Sequence, residues 1–257
     1  MPIKTDDQVR GAMPLTPIFF LIDTSGSMAG QSIEAVNTAM REAIPEVQKF
    51  TQQNADVAIR YSVLEFSTGA KWMNEAPGYV EDFKWVDLQA SGLTAMGKAY
   101  SMLNDKLSRK NGGFLQEHAN NAPIIILLTD GVPTDDAAAG LALLRENSWF
   151  NQSIKIAMEL PGANHSALVE FAGGEEGVIP TDPEKLRQYL GIIAINSATI
   201  GSKSQGRSND SITDDIIKPI KPESSPASSP IPAPSPTKLT DDDDDILRTY
   251  LTNSSII

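Results

Sequence analysis

The chain reads as a doubly wound α/β fold: a mostly parallel open sheet with helices on both faces and one antiparallel strand at its edge. Two unbroken apolar runs, residues 18–22 and 124–128, predict strands buried on both faces, as parallel sheets require. Each run ends in a polar cluster that holds an acid, Asp23 after the first and Asp130, between Thr129 and Gly131, after the second. Strand-like and helix-like segments alternate along the rest, the pattern of a sheet covered by helices.

In order, Ile18, Phe19, Phe20, Leu21 and Ile22 lead into Asp23, Thr24, Ser25, Gly26 and Ser27. Ile33, Val36, Met40, Ile44 and Val47 recur every three or four residues and predict an amphipathic helix from near Ser32, which Pro45 should kink or divide. Val57, Ile59, Tyr61 and Val63 alternate with other residues, predicting a half-exposed strand that ends near Phe66. A turn over 67–69 leads to residues 70–73, its antiparallel partner at the sheet edge. Residues 79–89 fit neither period. Met96, Tyr100, Leu103 and Leu107 mark a second helix before a polar loop over 111–121, and Pro123 opens the second buried strand. Asp135 and Asp136 precede a helix carrying Leu141 and Leu144 and are expected to cap and charge its start. Residues 154–160 form another strand, 166–171 a short helix, and Val178 and Ile179 a brief strand. Thr181 to Glu184 has capping-box spacing with Pro183 in the first turn, opening a helix with Leu186, Tyr189, Leu190 and Ile193.

With 257 residues and 40% hydrophobic content, the chain can bury one substantial core with length left over. The division expected is an N-terminal arm over 1–14, a folded domain over 15–200, a disordered Ser/Pro-rich linker over 201–240 and an acidic segment over 241–257. Pro and Ser dominate 219–236, a composition too poor in apolar surface to fold. Asp241 to Asp245 precede Ile246, Leu247, Tyr250 and Leu251, which read as a short partner-binding helix or as a solubilising acidic end. The absence of cysteine excludes disulfides and thiolate sites and is compatible with a reducing compartment. No apolar signal core opens the sequence and no run is long enough to cross a bilayer, so a cytoplasmic protein without membrane contact is expected. The net charge of −12 repels phosphate backbones, and without a basic stripe nucleic-acid binding is not expected. Trp72 and Trp85 read as core or sheet-edge residues rather than a base-stacking platform.

Asp23, Ser25 and Ser27 on one loop, Thr94 at a loop-to-helix junction and Asp130 after a second strand make an oxygen-rich set that suits a hard cation such as Mg²⁺. The set resembles the metal-ion-dependent adhesion site of von Willebrand factor A domains, whose motifs are Asp-x-Ser-x-Ser, a downstream Thr, and an Asp after a buried strand. The resemblance spans roughly residues 15–200. Within that family, 20–28, 92–98 and 127–136 look closest to bacterial tellurium-resistance TerY-type domains. The resemblance implies a Rossmann-like sheet and direct metal contacts from Ser25 and Ser27. It implies a contact from Thr94 made directly or through water, with Asp23 and Asp130 acting through metal-bound waters and hydrogen bonds to the serines. Mg²⁺ is the ion expected, with Mn²⁺ and Ca²⁺ left open as alternatives. Leu93 departs from the pattern, which usually has glycine there, and this touches the loop's shape rather than the Thr94 hydroxyl.

The function expected is that of a Mg²⁺-dependent scaffold or adaptor whose protein partner offers an Asp or Glu carboxylate to the metal. TerY-type proteins are often encoded beside a Ser/Thr protein kinase and a PP2C-type phosphatase. The resemblance therefore implies a stress-response or signalling setting, with Ser225, Ser229, Ser235 and Thr240 as phosphorylation candidates. In a further reading, a carboxylate among Asp241 to Asp245 reaches back to the metal. The alternative is a Mg²⁺-dependent phosphohydrolase with Asp23 as nucleophile. Against it, Ser25 stands where such chemistry needs a second carboxylate or a lysine nearby, and no Walker loop or nucleophile elbow is present. His118 and His165 lie in polar stretches and read as solvent-exposed. No enzyme is expected.

Overall fold

Period-two alternation decides where β1 (Leu15–Asp23) sends its side chains: Ile18, Phe20 and Ile22 enter one apolar layer, Phe19 and Leu21 the other. All nine residues are buried. The computed structural model describes residues 14–74, 78–110, 112–115, 120–204 and 206–220. Strands β2 (Ala58–Phe66), β3 (Ala70–Trp72), β4 (Ile124–Thr129), β5 (Ile154–Glu159) and β6 (Val178–Pro180) complete a sheet of order β3-β2-β1-β4-β5-β6. Only β2 and β3 pair antiparallel. From β1 the chain first builds outward through β2 and β3, then returns to place β4 on the other side of β1. This reversal puts the topological switch point at the carboxyl ends of β1 and β4, where open α/β sheets hold their sites.

One face of the sheet is covered by α1 (Gln31–Gln53), which contributes Val36, Met40 and Val47 to the first layer. The other is covered by α2 (Met96–Lys106), through Met96, Tyr100 and Leu103, and by α3 (Ala137–Arg145), through Leu141 and Leu144. After the short α4 (Ser148–Asn151) and β5, helix α5 (His165–Ala172) adds Leu168 and Phe171 to the second layer. Helix α6 (Pro183–Gly201) returns to the first with Leu186, Leu190 and Ile193.

Several expectations change. Helix α1 runs unbroken through Pro45; Pro45 and Arg41, whose carbonyl loses its helical partner, are both exposed to water. Strand β2 is buried on both faces apart from the partly exposed Arg60 and Glu65, because helices cover the side on which Ser62, Leu64 and Phe66 lie. The cap of α6 is Asp182, not Thr181: its carboxylate accepts the Lys185 N–H at 2.8 Å. Residues 79–89 form a 3-10 turn, Val80–Asp82, followed by a strand-free segment. The Asn37 side chain holds that segment by pairing with both Leu88 backbone groups at 2.8 and 3.0 Å, and Gln48 donates to the Val80 carbonyl at 3.0 Å.

The linker expected from residue 201 begins with folded structure. Helix α7 (Asn209–Ile217) buries Ile212, Ile216 and Ile217 in the first layer, and Asn196 of α6 donates to the Ile216 carbonyl at 3.0 Å. Three isoleucines on one face suffice to dock a short helix whatever the surrounding composition. The Ser208 hydroxyl caps α7 by accepting the Ser211 N–H at 3.3 Å. Replacing Ser208 by Ala is expected to lower stability by about 1 kcal/mol, read from urea denaturation. The chain divides into a unit ending at Lys221 and a second, Pro222–Ile257. The arm over 1–13, the Ser/Pro-rich stretch from 221, the acidic segment and the phosphorylation candidates lie outside the described residues.

Candidate functional site

Register brings the two acids together. Ile22 of β1 stands beside Leu128 of β4, so Asp23 and Thr129 are level and Asp130 follows at the same edge. Asp23 is fully buried, and both its oxygens are engaged: Oδ1 accepts the Ser25 N–H at 2.8 Å, and Oδ2 accepts the Thr129 hydroxyl at 2.5 Å. Thr24, between the motif residues, turns away and donates its hydroxyl to the Phe66 carbonyl at 3.1 Å, sewing the end of β1 to β2. That leaves Ser25 and Ser27 facing one another, with hydroxyl oxygens 3.0 Å apart. Ser27 donates to Asp130 Oδ1 at 2.7 Å. Ser25 is buried and Ser27 exposed, so the row climbs from the sheet edge to solvent.

Thr94 reaches the same place from a third loop. A Cβ on Gly131 would lie 2.9 Å from Thr94 Oγ1 and 3.6 Å from Asp23 Oδ2. The missing side chain thus lets the third hydroxyl and the first carboxylate approach this position more closely than a side chain at 131 would allow. The loop carrying Thr94 is tied to the first loop through Gly26 N–H to the Gly92 carbonyl at 3.0 Å and Ser91 N–H to the Thr24 carbonyl at 2.8 Å. Its sharp turn falls on Gly92, at φ +85°, where a Cβ would sit 2.4 Å from the Thr68 hydroxyl. The turn therefore needs glycine at 92, and Leu93 projects outward, 57% exposed. Val132, 60% exposed, stands beyond Asp130 on the next loop.

Burial pushes the Asp23 carboxyl above its usual range, against the hydrogen bonds from Thr129 and Ser25; the nearby charge of Asp130 pushes the same way. Burial also raises Asp130, against its hydrogen bond from Ser27. Two partly desolvated acids among hydroxyls favour a cation, and the donor set is all oxygen, as Mg²⁺ prefers. Among the described residues no three His, Cys, Asp or Glu gather as a metal cluster. The five residues expected from the sequence, Asp23, Ser25, Ser27, Thr94 and Asp130, thus meet at one edge.

Four residues of the site escaped sequence reading: Thr129, which orients Asp23; Gly131, which permits the close approach of Thr94; and Thr134 and Asp135, which bind the Thr94 loop. Asp136 caps α3 as expected, its Oδ1 accepting the Ala139 N–H at 2.9 Å, whereas Asp135 caps α2 instead. His165 lies outside the site, exposed between Glu159 at 2.9 Å and Glu175 at 3.1 Å, and its hydrogen bond to Glu159 raises its pKa. His118 lies outside the described residues.

Residues 18–132 match the von Willebrand factor type A domain family model. A collagen alpha-5(VI) chain from Mus musculus is 25% identical over 158 residues, covering 61% of this chain and 6% of that protein. Among solved structures, a von Willebrand factor type A protein from Catenulispora acidiphila aligns with a TM-score of 0.53 at 17% identity, covering 72% of this chain and 43% of that one. The pilus adhesin SpaC from Lactobacillus rhamnosus GG aligns at 0.56 with 13% identity, covering 74% and 31%. Proximal thread matrix protein 1 from the mussel byssus aligns at 0.52 with 19% identity, covering 72% and 48%. The chain thus spans less than half the length of each of these relatives. The matched segment contains most of β1, all of β4 and all five site residues, and the six-stranded sheet around it has the same fold as these structures; over residues 18–132 the chain is similar to von Willebrand factor type A domains.

Proposed function

We propose that the chain is a Mg²⁺-dependent protein-interaction module, with Ser25, Ser27 and Thr94 as ligands and Asp23 and Asp130 acting mainly through waters and the serine hydroxyls. The observation that carries this reading is the continuous row Ser25, Ser27, Asp130, beside Gly131, where the absence of a side chain lets Thr94 and Asp23 come close to the same point. Bound there among neutral hydroxyls, Mg²⁺ would supply an electron-poor position for an anionic oxygen, and a partner's Asp or Glu carboxylate is the matching group. Mn²⁺ and Ca²⁺ fit the same all-oxygen donors. The named relatives include a pilus adhesin and matrix proteins, which supports binding rather than turnover. Against a phosphohydrolase, Asp23 is fully buried with both oxygens engaged, an orienting group rather than a nucleophile presented to a substrate.

The setting we propose is bacterial and cytoplasmic, a scaffold of the TerY type working with a Ser/Thr kinase and a PP2C-type phosphatase in stress or tellurium-resistance signalling. Among the described residues no helix is long and apolar enough to cross a membrane. The test of the module is a pull-down from bacterial lysate in Mg²⁺ or in chelator, with wild type beside Ser25→Ala/Ser27→Ala. Partners held by wild type in Mg²⁺ are expected to disappear with chelator and with the variant; retention indifferent to both overturns the reading. The signalling setting is tested separately by mass spectrometry after coexpression with the cognate kinase, where an unmodified tail counts against it.

A further inference from the structure

Thr94 comes from a loop that contacts neither serine through a side chain in the hydrogen-bond pattern above, so something else must fix its place. The fixing groups lie four and five residues beyond Asp130. Thr134 accepts the Thr94 N–H on its hydroxyl at 3.2 Å and donates its own N–H to the Thr94 carbonyl at 2.9 Å. Asp135 then spans the start of α2: Oδ1 accepts the Gly97 N–H and Oδ2 the Lys98 N–H, both at 2.9 Å. These are two of the four donors that the first turn of a helix leaves without partners inside the helix. The close approach is built in on both sides. A Cβ on Gly97 would lie 2.6 Å from the Asp136 carbonyl, and one on Gly140 would lie 2.8 Å from the Gly97 carbonyl. Helix α3 has its own cap in Asp136, so Asp135 is not needed there. Its carboxylate also offsets the positive end of the α2 dipole, which points toward the edge where a cation would bind.

We propose that Asp135 and Thr134 are positioning residues: they lock the Thr94 loop onto the Asp130 loop and so hold the Thr94 hydroxyl in place for the metal. This rests on the reading of Asp23, Ser25, Ser27, Thr94 and Asp130 as a metal site. Outer residues that orient ligands typically govern 10- to 100-fold in metal affinity.

The test is Mn²⁺ titration of the full chain, followed by the electron paramagnetic resonance signal of the free ion. The proteins are wild type, Asp135→Ala, Thr94→Ala, the double variant, and Ser208→Ala as a helix cap at the opposite edge of the sheet. Asp135→Ala is expected to weaken binding on the order of 10-fold. In the Thr94→Ala background the same change is expected to do nothing more, because the hydroxyl it positions is gone. Asp135→Asn, with one accepting oxygen, is expected to fall between Asp135→Ala and wild type, and Ser208→Ala to match wild type. Unchanged affinity in Asp135→Ala, or an equal loss with and without the Thr94 hydroxyl, overturns the proposal. If Asp135→Ala does not fold by circular dichroism, Thr134→Val carries the same test. Failure of wild type itself to bind Mn²⁺ overturns the metal reading, and this is visible before any substitution is compared.

Discussion

Ser25→Ala/Ser27→Ala is expected to lose all Mg²⁺-dependent stabilisation while keeping the metal-free stability of wild type nearly unchanged. For wild type, a ligand at a hundredfold excess over its Kd adds about 2.7 kcal/mol to the folded state. In a domain of this size that is a rise in Tm of roughly 5 to 10 °C. The variant removes two of the three hydroxyls and also takes from Asp130 the hydrogen bond that opposes its desolvation, so the remaining carboxylate is protonated more readily. Without metal the cost is small for a definite reason. The hydroxyls of Ser25 and Ser27 are partners of each other, and removing both leaves neither as a buried donor without an acceptor. Asp130, partly exposed, turns to water instead. Thermal unfolding with and without Mg²⁺, referenced to chelator, reads both halves of the expectation. An undiminished Mg²⁺ shift in the variant would remove the serines from the site.

What the sequence made legible follows from how each feature is encoded. An unbroken apolar run such as 18–22 admits few structures other than a strand buried on both faces, so β1 and β4 could be read directly, and the acids after them had to share an edge once the two strands paired. Thr94 is different. Neither period nor composition brings it to that edge; only the family resemblance named it. The roles of Thr129 and Gly131 depend on a strand register and on a close approach between loops that local patterns do not carry. Asp135 was misread for the opposite reason, since the local capping rule fits it, yet Asp136 holds that place and Asp135 reaches a helix some forty residues earlier. Helix α7 was hidden by averaging: Ile212, Ile216 and Ile217 sit in a stretch whose overall composition resembles a linker. The segment over 79–89 has no period because its order comes from Asn37 and Gln48 on α1.

Asp23→Asn is expected to raise stability without metal and to abolish the response to Mg²⁺, opposite effects from one atom. Burial lifts the folded-state pKa of Asp23 above its unfolded value, and the hydrogen bonds from Thr129 and Ser25 only partly counter it. Between those two values the folded protein holds the proton more firmly. Metal-free stability therefore rises as pH falls from the folded value toward the unfolded one, and at neutral pH the full cost of the buried charge is present. Asparagine carries no charge at any pH. Its Oδ1 can still accept the Ser25 N–H, and its amide can donate to the Thr129 oxygen once that hydroxyl rotates, so geometry is kept while the cost is removed. A cation in the wild-type site offsets the same cost, so protons and Mg²⁺ compete, and affinity should fall as pH is lowered through the raised values of Asp23 and Asp130. Melting curves across acidic to neutral pH, in chelator and in Mg²⁺, should therefore show the variant above wild type in chelator, with a flatter pH profile and no Mg²⁺ shift. A variant that melts below wild type in chelator would mean that Asp23 is retained for the fold, and that its buried charge is not held ready for a cation.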